Sequence, residues 1–412
     1  MVRRLVKTLV IGLNYSPEPS GNAPYTTKLA EGLAARGMTV NVITGYPHYP
    51  QWKIAAGYKG LSMDEKHGAV HVRRLRSTIP SRPTGAGRLL MEATFGAHSV
   101  IQRWNRPDAV LVVSPALFSA AFAILRARLF RIPVGIWVQD LYSKGMEETG
   151  NPSSRFTSIM RRLESWILSR ADQVSVIHER FRDTVVDQLG VPADRVRVIR
   201  NWTHVNHHPS FDRSTARERL GWAPKDYVAL HAGNMGVKQG LENVLEAAQL
   251  ATGNGSDVRF VLLGNGNQRS ALEAKAHGVD RLQFLEPLPD RAYSEALRSA
   301  DVLIVNERPG VREMSVPSKL TSYFITGRPI VAATEEGSAT SHEMTAAGAG
   351  LRVEPGVPAD LIAAIEQLQD DPRTAEEFGA AGREYSEKLL SEKAAIDSYY
   401  AWLSDLAHQK EG

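Results

Sequence analysis

The sequence predicts an α/β protein made of two doubly wound domains. Three observations carry this reading. Short apolar runs alternate with amphipathic segments of helical length along almost the whole chain. The alternation breaks once, at WTHVNHHP over residues 202–209, and then restarts. In both halves a glycine-rich or proline-rich loop follows an apolar run, at the strand end where open α/β sheets bind ligands.

The elements follow in order. Residues 5–14 form an apolar strand, YSPEPSGN over 15–22 a turn-rich loop, residues 23–36 a helix with Gly37 beyond its end, and residues 39–44 the next strand. Further strands are predicted near residues 69–72, 109–114, 134–138, 173–177 and 196–199. Helices fall near 89–104, 116–130 and 155–170. Residues 1–203 therefore read as a first domain. His204, His207 and His208 in the linker lack a carboxylate to complete a ligand set and are read as a solvated hinge.

The second domain, residues 204–390, opens with a strand over 227–232 and the loop GNMGVKQG over 233–240. Leu241, Val244, Leu245 and Ala248 in the helix that follows keep the i, i+3, i+4, i+7 spacing. Strands at 258–263, 282–285, 302–305, 330–333 and 350–353 complete the sheet, and the charged tail is helical. In SVPSKL, Ser315 is the predicted N-cap, Gly327 closes the helix, and Pro329 prevents its continuation. Lys319 then stands in a first turn, where a cation opposes the helix dipole unless an anion binds there. The alternative is a solvated surface lysine.

Composition bounds the function. With 43% hydrophobic and 23% charged residues the chain is an ordinary globular one. It has no cysteine, which excludes disulfides and thiolate-bound metals. No apolar run reaches the roughly 18 residues of a membrane span, and residues 1–13 do not read as a signal peptide. The reading is a cytoplasmic protein. Charge is divided unevenly. Residues 1–205 hold 28 Lys/Arg against 15 Asp/Glu, a net +13; the remainder holds 21 against 30, a net −9. A basic half suits an anionic partner. Arg73, Arg74, Arg76, Arg82 and Arg88, with the apolar stretch beside them, are the expected contacts with an anionic membrane surface. The basic segments carry no base-reading motif, so nucleic acid is not expected.

Two α/β domains joined by a hinge would face each other across a cleft at the carboxyl ends of their sheets. Ser20, Gly21 and Asn22 of the first half fall there. So do the loop that includes Gly233 and Asn234, then Gly264 and Gly266, and residues 315–319 of the second. Lys238 and Lys319 stand at two strand-to-helix turns of one domain, a suitable cradle for a diphosphate. The loop 233–240 is no Walker motif, and GNGNQR over 264–269 lacks the third glycine of a dinucleotide fingerprint. Gln139 and Asp140 follow the strand 134–138, where Asp140 can orient a sugar hydroxyl or act as a base; the alternative is a helix cap.

Nearly the whole chain resembles the GT-B-fold retaining glycosyltransferases, glycosyltransferase family four, of the colanic-acid-biosynthesis type. The resemblance is carried by LVIGLNYSPEPSGNAPYTTKLAEGLAARGMTVNVITGYPHYP, WVQDLY, VIRNW, HAGNMGVKQGLENVLEA and SVPSKLTSYFITGRPIVAA. It implies two Rossmann-like domains, the first binding the acceptor and the second the nucleotide sugar. It also implies a last helix, 391–412, that packs back on the first domain.

The implied reaction moves a hexose or N-acetylhexosamine from a nucleotide-diphosphate sugar, with retention and without a cofactor or essential metal. The expected acceptor is lipid-linked or a glycan in envelope polysaccharide assembly, and the uneven charge suits one linked to a polyprenyl diphosphate at the inner face of the membrane. The residues expected to be catalytic are Asp140, Lys238 and Lys319, and those expected to bind substrate are Ser20, Gly21, Asn22, Gln139, Gly233, Asn234, Gly264, Gly266, Glu313, Ser315, Pro317 and Ser318; the resemblance itself matches Gly21, Lys238 and residues 315–319 to the family's diphosphate site. The chain departs from the family at Asn234, where relatives have arginine, at Gln139 in place of histidine, and at Met314 and Ser322, where a glutamate pair is usual. A silent binding subunit and a sugar-nucleotide epimerase are the alternative readings.

Overall fold

The computed structural model describes residues 5–18, 21–49, 51–80, 85–143, 155–202, 211–311 and 318–408. They divide into two units, Met1–Asn201 with Lys393–Gly412, and Trp202–Glu392.

Unit 1 is built on strands β1 (Lys7–Ile11), β2 (Thr39–Gly45), β3 (Ser62–His67), β4 (Val70–Leu75), β5 (Ala109–Ser114), β6 (Val134–Val138), β7 (Gln173–Val176) and β8 (Val196–Val198). They lie in the order β3-β4-β2-β1-β5-β6-β7-β8. All pairs are parallel except β3 with β4, which is antiparallel. Every residue of β5 and β6 is buried, as expected of parallel strands covered on both faces. Helices α1 (Ala23–Ala35), α2 (Gly85–Ile101), α3 (Leu117–Leu129), α4 (Arg155–Arg170) and α5 (Glu179–Asp183) accompany them.

Strand β3 is absent from the sequence expectations, because SMDEKH shows no apolar alternation. It is a charged edge strand, and its sequence resists further pairing. Its carboxylates change the meaning of the arginines opposite. Asp64 accepts two hydrogen bonds from Arg73, at 2.8 and 2.7 Å, and Glu65 accepts one from Arg74 at 2.7 Å. Arg74 is wholly buried. The expected membrane contact through Arg73 and Arg74 is therefore corrected: these guanidiniums stitch β4 to the edge strand. Arg82 lies outside the described residues, as do His204, His207 and His208.

Unit 2 repeats the design with strands β9 (Tyr227–Ala232), β10 (Val258–Leu263), β11 (Leu282–Leu285), β12 (Val302–Asn306), β13 (Ile330–Ala333) and β14 (Gly350–Val353). Their order is β11-β10-β9-β12-β13-β14, all parallel. The direction of winding reverses between β9 and β12, which makes their carboxyl ends the switch point. In unit 1 the reversal falls between β1 and β5. The helices are α6 (Arg213–Arg219), α7 (Glu242–Asn254), α8 (Arg269–Lys275), α9 (Asp290–Ser299), α10 (Ser318–Phe324), α11 (Ala339–Ala347), α12 (Pro358–Asp370) and α13 (Pro372–Leu389).

The last helix, α14 (Glu392–His408), packs on unit 1. A Cβ on Gly135 of β6 would come within 2.7 Å of the Trp402 ring, and one on Gly32 of α1 within 2.4 Å of Ile396. The Trp137 and Tyr399 rings pack at a tilt with their centres 5.0 Å apart, and Arg36 pairs with Asp397 at 2.6 Å. Two glycines thus open the notches that the helix fills.

Candidate active site

The densest construction lies at the switch point of unit 2. Gly233 ends β9 and Gly264 ends β10, with φ of 131° and 139°. A Cβ on Gly264 would meet the Gly233 carbonyl oxygen at 2.0 Å, and one on Gly266 would meet the Met235 oxygen at 2.4 Å. Only glycine fits where two backbones approach this closely. The Met235 amide donates to the Asn265 carbonyl (2.9 Å) and the Gln268 amide to the Met235 carbonyl (3.0 Å), so the two loops form one backbone surface. Arg269 supports it from behind, donating to the Gly264 oxygen at 2.6 Å.

The loop 233–240 is tied to the end of β12. Asn306 donates to the Gln239 and Gly240 oxygens at 2.7 and 2.9 Å, and Asn243 donates to Asn306 at 2.8 Å. Lys238 sits in the one-turn helix Val237–Gln239, and its carbonyl accepts from the Arg308 amide at 2.8 Å. Asn234, on the same loop, is exposed.

Lys319 enters from the first turn of α10. Its Nζ stands 3.1 Å from His231 Nε2 and 3.7 Å from where a Gly233 side chain would begin. The solvated reading of Lys319 is thereby overturned. Burial pushes its ammonium down to about 8, against the Glu307 carboxylate, which favours the charged form. Glu307 is buried beside it and accepts from Thr340 at 2.6 Å. His231 is fully buried, and burial together with the Lys319 charge holds its imidazole neutral. A neutral Nε2 then accepts from the ammonium.

One turn after Lys319, the Tyr323 hydroxyl accepts from the Ala232 amide (2.8 Å) and donates to the Ala232 carbonyl (3.2 Å). This fixes the start of α10 against the end of β9. His231, Tyr323 and Asn306 are absent from the sequence-derived site. The i, i+4 spacing of Lys319 and Tyr323 is the signal that points to the second. Ser318 is the first described residue of α10, whereas Glu313, Ser315 and Pro317 lie outside the described residues.

In unit 1, Gly21 takes a left-handed φ of 66°, and Asn22 donates to the Ser114 oxygen at 3.3 Å, bridging the carboxyl ends of β1 and β5. Ser20 lies outside the described residues. Asp140 is exposed just beyond β6, with Oδ1 accepting from the Leu141 amide at 2.9 Å. Gln139 behaves differently from expectation. It is buried, and its amide closes on that of Asn201 in two hydrogen bonds of 3.2 and 2.8 Å, so both ends of the side chain are engaged within the protein. Glu92 on α2 is also buried, with Oε2 meeting no hydrogen-bond donor. Burial pushes its carboxyl up to about 7, while Arg88 and the Phe118 and Leu117 amides pull the other way. Beside β2 and β4, a groove of about 650 Å³ is lined by Trp52, Ile54, Leu61, Lys53 and Arg76. Lys53 and Arg76 make no ion pair among the described residues, and Arg88 lies 6.0 Å from the Trp52 ring centre.

Two such sheets, with a lysine at a side-chain-free strand end of the second, define a doubly wound α/β protein with a built site at its switch point. Comparison with known proteins narrows the class. Residues 20–202 match the glycosyl transferase 4-like domain and residues 212–385 the glycosyl transferases group 1. The chain is 30% identical over 411 residues to WcaI of Escherichia coli K12, which is named for colanic acid biosynthesis, covering 96% of this chain and 98% of that one. Sucrose-phosphate synthase from Thermosynechococcus elongatus superposes with a TM-score of 0.73 at 18% identity, covering 97% and 99% of the two chains. HepE of Anabaena, solved in complex with UDP, superposes with a TM-score of 0.70 at 16% identity, covering 97% and 100%. The protein belongs to the GT-B-fold glycosyltransferases.

Proposed function

We propose that the protein transfers a sugar, with retained configuration, from a nucleotide-diphosphate donor to a lipid-linked or glycan acceptor during assembly of a cell-envelope polysaccharide. One observation carries the donor half: the half-buried Lys319 ammonium faces the Gly233 edge, where no side chain stands in the way of a diphosphate. In this reading Lys319 and Lys238 meet the charge that builds on the leaving diphosphate, a transition-state interaction rather than a binding one alone. Asp140, exposed beyond the end of β6, is the proposed partner of a sugar hydroxyl in unit 1. HepE was solved in complex with UDP, which supports a nucleotide donor, and WcaI is named for colanic acid biosynthesis, which supports the acceptor class. The groove lined by Trp52, Lys53 and Arg76 offers that acceptor an apolar wall beside two cations. No metal requirement is proposed, so a chelator should leave the rate unchanged.

A thermal-shift panel of uridine, guanosine and thymidine diphosphate sugars tests the reading. A donor at 100 times its dissociation constant stabilises by about 2.7 kcal/mol. No shift with any of them, together with no release of nucleoside diphosphate on incubation, would reject the donor site.

A further inference from the structure

Unit 1 carries a second basic surface that the active site does not use. Helices α2 and α3 pack side by side, with Gly96 so close to α3 that a Cβ there would meet Ser119 Cα at 2.8 Å. At their carboxyl-terminal ends the outer face is apolar and open. Ile101, Leu125, Leu129 and Phe130 are 75%, 54%, 77% and 59% exposed. Phe130 lines one cavity with Arg103, Trp104, Arg106 and Arg126, which joins the two helix ends. Arg126 reaches from α3 to the Gln102 carbonyl (2.6 Å) and packs over the Trp104 ring at 4.4 Å and the Phe130 ring at 5.7 Å, clasping the segment after α2 onto the end of α3. Arg103, Arg106, Arg128 and Arg131 surround the patch, all exposed. None of the four has a carboxylate partner among the described residues. Arg106 and Arg131 lie in the left-handed region, with φ of 50° and 51°, so both turns that frame the patch end on an exposed arginine.

We propose that this patch is where the protein rests on an anionic lipid bilayer. Charge complementarity selects the occupant. A symmetric contact with a second copy would bring one arginine rim against another. A nucleic-acid backbone would use the arginines but leave four large apolar side chains in water. An anionic bilayer takes both, with the aliphatic side chains and Phe130 entering the acyl boundary and the arginines meeting head-group phosphates. The surface replaces Arg73 and Arg74 with Arg103, Arg106 and Arg131. It deepens the reading of a membrane-presented acceptor and rests on that reading only for its purpose.

The full-length protein is sedimented with phosphatidylglycerol vesicles and with phosphatidylcholine vesicles, at low and high salt. Two variants accompany it, Leu129→Asp with Phe130→Ser, and Arg103→Glu with Arg106→Glu. The expected result is salt-sensitive binding to phosphatidylglycerol alone. Each pair should weaken it at least roughly tenfold, since a cation near an anionic surface is worth about fivefold. The altered side chains are exposed, and an unchanged melting temperature confirms the fold. Equal binding to both lipids, no binding at low salt, or full binding by both variants overturns the proposal. Calorimetry with uridine and guanosine diphosphates on the same samples keeps the two readings apart. In the wild type, absent vesicle binding with intact diphosphate binding sinks the surface alone, and the reverse sinks the donor site alone.

Discussion

Lys319 Nζ and His231 Nε2 are 3.1 Å apart at the end of β9, an ammonium donating to a buried imidazole that cannot afford a charge of its own. The pairing keeps the lysine aimed at the Gly233 edge. Burial, not the pairing, lowers the proton affinity of that lysine, because little water reaches it.

Replacing Lys319 with methionine should weaken nucleoside diphosphate binding by about 1.5–3 kcal/mol, the scale of a charge-assisted hydrogen bond. In the wild type the affinity should fall as pH rises through about 8, where the ammonium loses its proton. Stability runs the other way. The folded pKa lies below the ordinary 10.5, so the unfolded chain binds more protons between about 8 and 10.5, and stability rises with pH across that window. Lys319→Met should therefore be the more stable protein at neutral pH, by a margin that shrinks towards pH 10.5. Calorimetry across pH reads the first effect and urea midpoints the second. A pH-independent affinity would show that the lysine does not touch the diphosphate.

Tyr323→Phe removes one oxygen and strands two buried backbone groups of Ala232. Each such group costs about 1–3 kcal/mol. The variant should unfold at distinctly lower urea, and its diphosphate affinity should fall less than that of Lys319→Met. Unchanged stability would mean that water replaces the hydroxyl and that α10 is held by packing alone.

Glu92→Gln should stabilise the protein in alkaline buffer and do nothing in acid. The folded carboxyl holds its proton up to about 7 because it is buried, whereas the unfolded one loses it near 4.5. The folded state thus binds more protons between these values, and stability falls as pH rises through them. The gain from glutamine should reach about 3 kcal/mol above pH 7 and vanish below pH 4.5. Urea midpoints of both proteins across pH decide this; a gain of the same size at every pH would mean that the titration is not the cause.

The two sheets were legible because parallel strands buried on both faces are continuous apolar runs, as AVLVVS and VGIWV are. The glycines at 233, 264 and 266 were legible because they follow such runs. Strand β3 was not, and that one omission misplaced Arg73 and Arg74. Without Asp64 and Glu65 opposite them, two structural guanidiniums read as a basic surface. His231 hides inside an apolar strand, and Tyr323 looks like an ordinary core aromatic of a helix. Their roles arise from the approach of α10 to β9, two elements some ninety residues apart in the chain. Gln139 was placed at the right strand end, but its partner Asn201 is set by tertiary folding and has no local signature.

The notches at Gly32 and Gly135 have a consequence for synthesis. Unit 1 begins at the amino terminus, yet its face over β6 is closed by Ile396, Tyr399 and Trp402, all buried there. At about 5–20 residues per second, the ribosome needs roughly 10–40 s to make the intervening unit. Through that interval the nascent first unit shows a bare apolar face around Gly135, a target for trigger-type chaperones and a hazard for association with its neighbours on a polysome. The unit that starts to fold first is the last to finish.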